Sequence, residues 1–364
     1  MDFLEYVQNA VKNGASDIHI ATSNYPAVRI NGNIIFDTEA GVLSNEDVLA
    51  CIAVVFSKAD YDSFLETGDT DAAVSLEGSG RFRLNAFKQR NGSTLVMRII
   101  NSQVPEIRSL NLPRAIESVL KLKEGLVLVT GPTGSGKSTT LAALINEINK
   151  NTDQHIITIE DPVEYLHTPK RCIVNQREVG EDSNTYSSAL RAVLREDPDV
   201  ILMGEIRDFE SMSIALTAAE TGHLVFSTLH TEGAAKSIDR LIDMYPVDRQ
   251  QQALGQLSTT LKAVISQRLL PRCDIKGRIG AFEIMFVNNA IANLIRENKI
   301  PQMEQMIQLN KARGMITHNE SVQNLLEAGF ISKQTAERYT YEVAKKDDNM
   351  GRGMQGQMNN MMNR

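Results

Sequence analysis

The chain has 364 residues, of which 42% are hydrophobic and 23% charged, and its 38 basic and 45 acidic side chains give a net charge of −7. This composition indicates a globular protein of roughly two to three domains and excludes disorder over most of the chain. No apolar run approaches the roughly 18 to 20 residues that cross a bilayer. The start, MDFLEYVQNAVKNG, also lacks the basic and apolar regions of a signal peptide. We therefore expect a cytoplasmic protein.

Cysteine spacing and overall charge narrow the class of protein further. Cys51, Cys172 and Cys273 lie far apart without CxxC spacing, which favours neither a disulfide framework nor a thiolate zinc site. The sequence pI is near 5.5. An acidic chain of this kind is not typical of a general nucleic-acid binder, so no nucleic-acid partner is expected.

Residues 1–100 predict a small α+β domain. An amphipathic helix from Phe3 to Lys12 precedes the strand-like runs IHIA, AVRI, NIIF, RFRLNAF and TLVMRII, several of them bounded by turn residues. Residues 101–113 contain two prolines and little periodicity, which indicates a linker.

From residue 114 onward, short apolar strands alternate with helices. The strands are LVLVT, HIITIE, DVILMGE and HLVFST, with helices predicted from Ser138, from Phe209 and after Thr231. Strands without polar alternation, separated by helices, predict a parallel sheet covered on both faces. After about residue 247 the sequence predicts helices throughout, apart from a strand at RIGAFEIMFV. The methionine-rich end, residues 346–364, is interpreted as a disordered tail.

The clearest motif has the form GxxxxGK[ST] and lies between a predicted strand and a predicted helix. It comprises Gly131, Pro132, Thr133, Gly134, Ser135, Gly136, Lys137 and Ser138. The glycines let backbone N–H groups turn toward a β-phosphate, and the helix N-terminus adds its positive dipole. Lys137 is expected to bridge the β- and γ-phosphates, the Ser138 hydroxyl to ligate Mg²⁺, and Thr139 to complete the site. The motif predicts a bound nucleoside triphosphate.

Acidic residues follow two further predicted strands. Glu164 comes shortly after HIITIE, and Glu205 ends DVILMGE. In an open α/β sheet the ligand lies beyond the carboxyl ends of the strands, where both acids emerge. Hydrolysis needs one carboxylate to orient a water and another to hold Mg²⁺. We predict Glu164 and Glu205 for these roles. The residue before Glu205 is Gly204, where an aspartate would be expected. Glu205 is therefore expected to contact the metal through a water molecule.

Two histidines flank the strand HLVFST. His223 precedes it and His230 follows it, and six extended residues span about 20 Å, so the two imidazoles cannot share a metal ion. His230 is expected near the phosphates, where it could sense the γ-phosphate by hydrogen bonding. His223 is expected to face a neighbouring element or subunit. The alternative is that both are ordinary hydrogen-bonded histidines.

Taken together, these segments resemble the ATPases of the secretion superfamily. GPTGSGKSTT, ITIEDPVEYLH, LRAVLREDPDVILMGEIRD and TAAETGHLVFSTLHT are similar to its Walker A, Asp-box, Walker B and His-box segments. Further segments extend the resemblance to residues 1–335, namely GASDIHI, RFRLNAF, VNQREVG and AIANLIRENKIPQM. Within the superfamily, the sequence most resembles the motors that retract type IV pili.

The resemblance implies an organisation of the chain. It implies a PAS-like domain (1–100), a RecA-like ATPase core (114–275) and a mostly helical C-terminal subdomain (276–345). The linker (101–113) and the tail (346–364) are the segments predicted above from the sequence itself. It also implies an ATP- and Mg²⁺-dependent homohexamer at the inner membrane that acts on a pilus platform protein, with a second retraction ATPase as a further partner.

The resemblance also assigns roles to residues. Lys137 and Ser138 bind phosphate and Mg²⁺, Glu164 is the catalytic base, and Glu205 positions Mg²⁺ and water. His223 and His230 form the His box. Three first-domain arginines would reach the nucleotide of a neighbouring subunit as arginine fingers: Arg81, Arg83 and Arg98. Because Arg81 and Arg83 alternate on a predicted strand, lining its solvent face is the other interpretation of that pair.

Several alternatives stay open at this stage. The segment that reads AIRNLIRE in the family reads AIANLIRE here, so that Ala292 replaces an arginine. The methionine-rich tail is a second departure from the family pattern. Both features keep an accessory retraction ATPase under consideration. An assembly or type II secretion ATPase would carry a longer N-terminal region and four zinc-binding cysteines. A nucleic-acid translocase should show a longer basic stretch than RLLPRCDIK. A nucleotide-binding scaffold without turnover is the alternative from outside the motor class.

Overall fold

The structure is a computed structural model that describes residues 2–30, 32–100 and 104–341. Its first part contains three helices and six strands. The helices are α1 (Phe3–Lys12), α2 (Asn45–Val55) and α3 (Lys58–Thr67). The strands are β1 (Asp17–Ala21), β2 (Ala27–Ile30), β3 (Asn33–Phe36), β4 (Asp69–Leu76), β5 (Gly80–Gln89) and β6 (Gly92–Ile100). All five predicted strand-like runs and the predicted helix are confirmed.

These six strands form one antiparallel sheet in the order β3-β2-β1-β6-β5-β4. Alternate residues of the sheet, among them Ile18, Leu84 and Met97, face the helices and form a core with Val48 of α2 and Phe64 of α3. The other residues of the strands lie on the opposite face. This alternation places Arg81, Arg83 and Arg98 together on the face without helices. The PAS-like character of this domain stays a prediction.

The second part is built on a seven-stranded sheet. Its strands are β7 (Gly125–Thr130), β8 (His155–Glu160), β9 (Ile173–Glu178), β10 (Val200–Met203), β11 (Leu224–Leu229), β12 (Leu261–Pro271) and β13 (Arg278–Phe286). Their order is β13-β12-β7-β11-β10-β8-β9, and every neighbouring pair is parallel except β12 with β13. The predicted parallel α/β sheet is confirmed.

Helices cover both faces of this sheet. They are α4 (Lys137–Asn151), α5 (Tyr186–Val193), α6 (Phe209–Glu220), α7 (Ala234–Asp243), α8 (Gln250–Thr260), α9 (Asn289–Arg296), α10 (Met303–Leu309), α11 (His318–Glu327) and α12 (Lys333–Tyr339). Leu126 and Leu128 of β7 pack with α5 to α10, whereas Val127 and Val129 pack with α4. Continuous apolar strands therefore reflect burial on both sides.

The prediction of helices throughout the region after residue 247 is wrong at β12. This eleven-residue strand pairs in parallel with β7 and in antiparallel with β13. Its apolar side chains enter both core layers, so burial between β7 and β13 favours the extended form over the helix that precedes it. The predicted strand at RIGAFEIMFV is confirmed as β13. The predicted boundary at residue 275 falls in the turn of this hairpin.

The predicted linker and tail are only partly described. Residues 101–103 lie outside the described residues, and Ile107–Leu110 form a short 3₁₀ helix whose Ile107 is buried against the α4 side of the sheet. The methionine-rich segment 346–364 lies outside the described residues. Among the helices that the structure describes, none has both the length and the apolar character required to cross a membrane.

Candidate active site

The phosphate loop joins β7 to α4, as predicted. Gly131 has φ 140°, and a Cβ atom there would lie 2.2 Å from the Gln267 carbonyl oxygen, so only glycine fits. Gly134 and Gly136 also have positive φ angles, 76° and 89°. These conformations curl the loop tightly around the start of α4. Gly136 is the N-cap of that fifteen-residue helix, and no side chain caps it, which leaves its first-turn N–H groups open to an anion.

Lys137 is buried beneath this loop. Its Nζ donates hydrogen bonds to the carbonyl oxygens of Gly131 at 2.9 Å and Pro132 at 3.2 Å. Burial lowers the pKa of Lys137, while the nearby carboxylates of Glu205 and Glu164 act in the opposite direction. The lysine and the two predicted acids therefore share one electrostatic environment.

Glu164 lies on the loop that follows β8, and its side chain is exposed. The Glu160 side chain accepts a hydrogen bond from the Glu164 backbone, and Gln176 of β9 braces the loop from below. The Gln176 Oε1 accepts from the His167 N–H at 2.7 Å, and its Nε2 donates to the Tyr165 carbonyl at 2.8 Å. The Tyr165 hydroxyl lies 3.0 Å from Thr139 Oγ1, which ties the loop to the helix of the phosphate site.

Glu205 lies just beyond β10 and is only partly exposed. Its carboxylate accepts from Arg207 Nε at 2.8 Å and lies 3.4 Å from His230 Nε2. The other ring nitrogen of His230 is 3.4 Å from Thr133 Oγ1 in the phosphate loop. His230 thus lies between Glu205 and the phosphate loop, within 3.4 Å of both.

A cleft of about 310 Å³ opens at this point. Its ionisable lining residues are Glu205, Arg207, His230 and Arg240. Its volume lies at the lower end of the range for small-ligand sites. Arg240 of α7 was not predicted from the sequence, because only the fold brings it to the cleft beside Glu205 and His230.

His223 lies at the other end of β11 and does not join the site within this chain. Its Nδ1 is 3.0 Å from the Ala218 carbonyl oxygen and 3.1 Å from Thr221 Oγ1, at the end of α6. The separation of the two histidines by strand β11 follows the sequence prediction.

The three predicted arginines have different surroundings. Arg81 forms an ion pair with Glu178 of β9 in its own chain. Arg98 donates from Nε to Asp17 at 3.0 Å. Arg83 is exposed and lies directly opposite Arg98 in the β5–β6 register. The proposed reach of these arginines to a neighbouring subunit therefore stays a prediction, and Arg81 already has a partner within the chain.

Gln267 was also missed by the sequence analysis. It projects from β12 under the phosphate loop, where its Nε2 donates to the Ser135 carbonyl at 2.7 Å. The Ser135 Oγ is buried, with no hydrogen-bond partner among the described residues. The available signal was the polar interruption Ser266-Gln267-Arg268 within the otherwise mainly apolar β12.

The chain belongs to the family of type II/IV secretion system proteins, whose model matches residues 3–338. It is a P-loop ATPase of that family.

Two relatives and one solved structure show which members of the family this chain is similar to. The type IV pilus ATPase PilT of Pseudomonas aeruginosa is 44% identical over 92% of this chain and 97% of its own length. The type IV pilus ATPase PilU of the same organism is 38% identical over 92% of this chain and 88% of its own length. The crystal structure of the pilus retraction motor PilT with bound ADP superposes with a TM-score of 0.89, at 44% identity over 94% of this chain and 98% of that one.

Proposed function

We propose that this chain is the subunit of a hexameric ATP-driven motor that retracts type IV pili, and so supports pilus disassembly and twitching motility. The observation that carries the proposal is the meeting of Lys137, Glu205 and His230 at one edge of the sheet, in a chain that matches PilT over almost its whole length.

The residues present fit a bound ATP–Mg²⁺. The uncapped start of α4 and the unpartnered Ser135 Oγ offer donors to phosphate oxygens. Mg²⁺ that arrives with a nucleotide needs only one or two protein ligands. The described residues contain no cluster of three or more His, Cys, Asp or Glu side chains suited to a metal. Ser138 would hold the ion directly and Glu205 through water, and the ion would neutralise charge on the phosphates.

The residues of this chain then divide the work of hydrolysis. Lys137 binds the phosphates, Glu164 orients and deprotonates the attacking water, and Glu205 with His230 holds the far side of the site. Exposure of Glu164 leaves room for water beside it. First-domain arginines of a neighbouring subunit would complete the site, so that ATP binding closes a subunit interface and hydrolysis releases it.

The proposed partners are five further copies of this chain and the membrane-embedded platform protein of the pilus, with a second retraction ATPase acting beside it. The accessory role remains the second candidate, because PilU is also a relative over most of the chain and Ala292 of α9 departs from the retraction segment.

Deletion of the gene tests the cellular role. A retraction motor predicts cells with long pili that do not retract, restored by the wild-type gene and not by Lys137→Ala. Cells without pili would indicate an assembly ATPase instead. Normal retraction that fails only when a second ATPase is also weakened would indicate the accessory role.

A further inference from the structure

Glu178, the last residue of β9, is a buried acid that the mechanism above does not use. Only 6% of its side chain is exposed. A buried carboxylate must be hydrogen-bonded and paired with a cation, because an isolated charge is costly to remove from water. The identity of its partners therefore shows what this acid holds in place.

One partner is the loop of the proposed catalytic base. Glu178 Oε2 accepts a hydrogen bond from the Val163 N–H at 3.0 Å. Val163 directly precedes Glu164 in the chain and is itself buried. Glu178 therefore fixes the backbone at the residue next to Glu164.

The other partner comes from the first domain. Arg81 of β5 donates from Nη2 to the same oxygen, Glu178 Oε2. The Arg81 side chain is only 19% exposed, so the pair is largely removed from solvent. In such a pair, loss of either partner leaves an unpaired buried charge, and its effect is larger than that of a surface ion pair.

We propose that Glu178 is a positioning residue for ATP hydrolysis, which transmits the placement of Arg81 to the loop that carries Glu164 in the same subunit. Movement of the first domain would then adjust the catalytic base directly, through one carboxylate oxygen. The inference rests on the proposed hydrolytic role of Glu164. The sequence analysis predicted that Arg81 contacts the nucleotide of a neighbouring subunit. In the present inference, Arg81 acts within its own chain and only through Glu178.

A double-mutant cycle tests the inference on the full-length protein. Arg81→Met and Glu178→Gln remove the charges at nearly constant volume, singly and together. Each single substitution is expected to lower kcat about tenfold, since small displacements of a catalytic group are costly. The KM and the affinity for a fluorescent ATP analogue should change less than about twofold. The double variant should lose about tenfold as well, because both changes break one connection.

Two controls and one rescue sharpen the test. Arg90→Ala and Glu181→Gln alter exposed residues of the same two regions and should leave kcat unchanged. Arg81→Lys keeps a positive charge beside Glu178 and should recover much of the lost rate, whereas a forked arginine contact to phosphate would not be replaced by lysine. This conservative variant also provides the test if either neutral variant fails to fold, as monitored by thermal unfolding.

Three results would overturn the inference while leaving the proposed function intact. They are a double variant whose losses multiply to about a hundredfold, a Glu178→Gln protein with wild-type kcat, and an Arg81→Met protein that loses ATP affinity in place of kcat. A wild-type protein that hydrolyses no ATP would instead contradict the proposed function itself.

Discussion

Gln267 Nε2 donates a hydrogen bond of 2.7 Å to the carbonyl oxygen of Ser135, across 132 residues of sequence. The bond joins β12 to the phosphate loop, and both residues are buried. A strand that contributes no residue to the nucleotide-binding motif therefore fixes the shape of that motif.

Replacement of Gln267 by Leu tests this support. The substitution removes the donor and leaves a buried carbonyl without its partner, a loss of about 1 to 3 kcal/mol. We expect ATP affinity to fall by about 5- to 150-fold, measured by titration with a fluorescent ATP analogue. Gln302→Leu, at an exposed glutamine, is the matched control. Unchanged affinity of the Gln267 variant would show that the loop holds its shape without β12.

Replacement of Gly131 by Ala tests the tight approach of the two backbones. Alanine there adopts an unfavourable φ of 140° and places its Cβ 2.2 Å from the Gln267 carbonyl. We expect a loss of unfolding free energy of about 2 to 4 kcal/mol and weak ATP binding. Gly134→Ala shares a positive φ but meets nothing within 4 Å, so its loss should be smaller, about 1 to 2 kcal/mol. Equal losses in urea unfolding would contradict the steric argument.

Substitutions of Lys137 and Glu205 separate binding from hydrolysis. Lys137→Ala should abolish both ATP binding and turnover, because it removes the cation of the phosphate site. Glu205→Ala should leave ATP binding nearly intact and reduce kcat by at least about a hundredfold. Equilibrium binding and phosphate release, measured on the same preparations, give both quantities. Hydrolysis by the Glu205 variant at the wild-type rate would remove Glu205 from the proposed mechanism.

The pKa of Glu160 predicts how the unfolding free energy of the protein changes with pH. Burial raises the pKa of Glu160 from 4.5 to about 6, despite the hydrogen bonds it accepts from Thr158, Gln176 and the Glu164 backbone. Between these values the folded protein binds more protons than the unfolded chain, so this group makes stability fall as pH rises. Its contribution is at most about 2 kcal/mol.

The variant Glu160→Gln isolates that contribution. From about pH 4.5 to pH 7, the unfolding free energy of the wild type should decline relative to the variant. Urea unfolding at several pH values measures the difference. Parallel curves for the two proteins would show that Glu160 has the same pKa in both states.

Local patterns predicted much of the fold. The helix at Phe3–Lys12 and the start of the helix at Phe209 were predicted to the residue, because amphipathic spacing and the capping Asp208 are local signals. The parallel sheet followed from short apolar strands between helices. Strand β12 was missed since QQALGQLSTTLKAVISQRLL contains no Gly-Pro break between helix α8 and the strand, and its pairing with β7 is nonlocal.

The candidate site was predicted through its motifs and missed where long-range contacts build it. Lys137, Glu205 and His230 come together as expected. Gln267, Arg240 and Glu178 lie on elements that reach the site only after folding, so spacing along the chain could not reveal them. The ion pair of Arg81 with Glu178 belongs to the same class, because its members are 97 residues apart.

The two loops beside the nucleotide site are attached in different ways. The phosphate loop is continuous with β7, lies against the backbone of β12, and also accepts the hydrogen bond from the Gln267 side chain. The segment around Glu164 is fastened mainly by side chains, those of Glu160, Gln176 and Glu178. The position of Glu164 therefore depends on these three side chains, and a displacement of any one of them would reach its loop without altering the contacts of the phosphate loop.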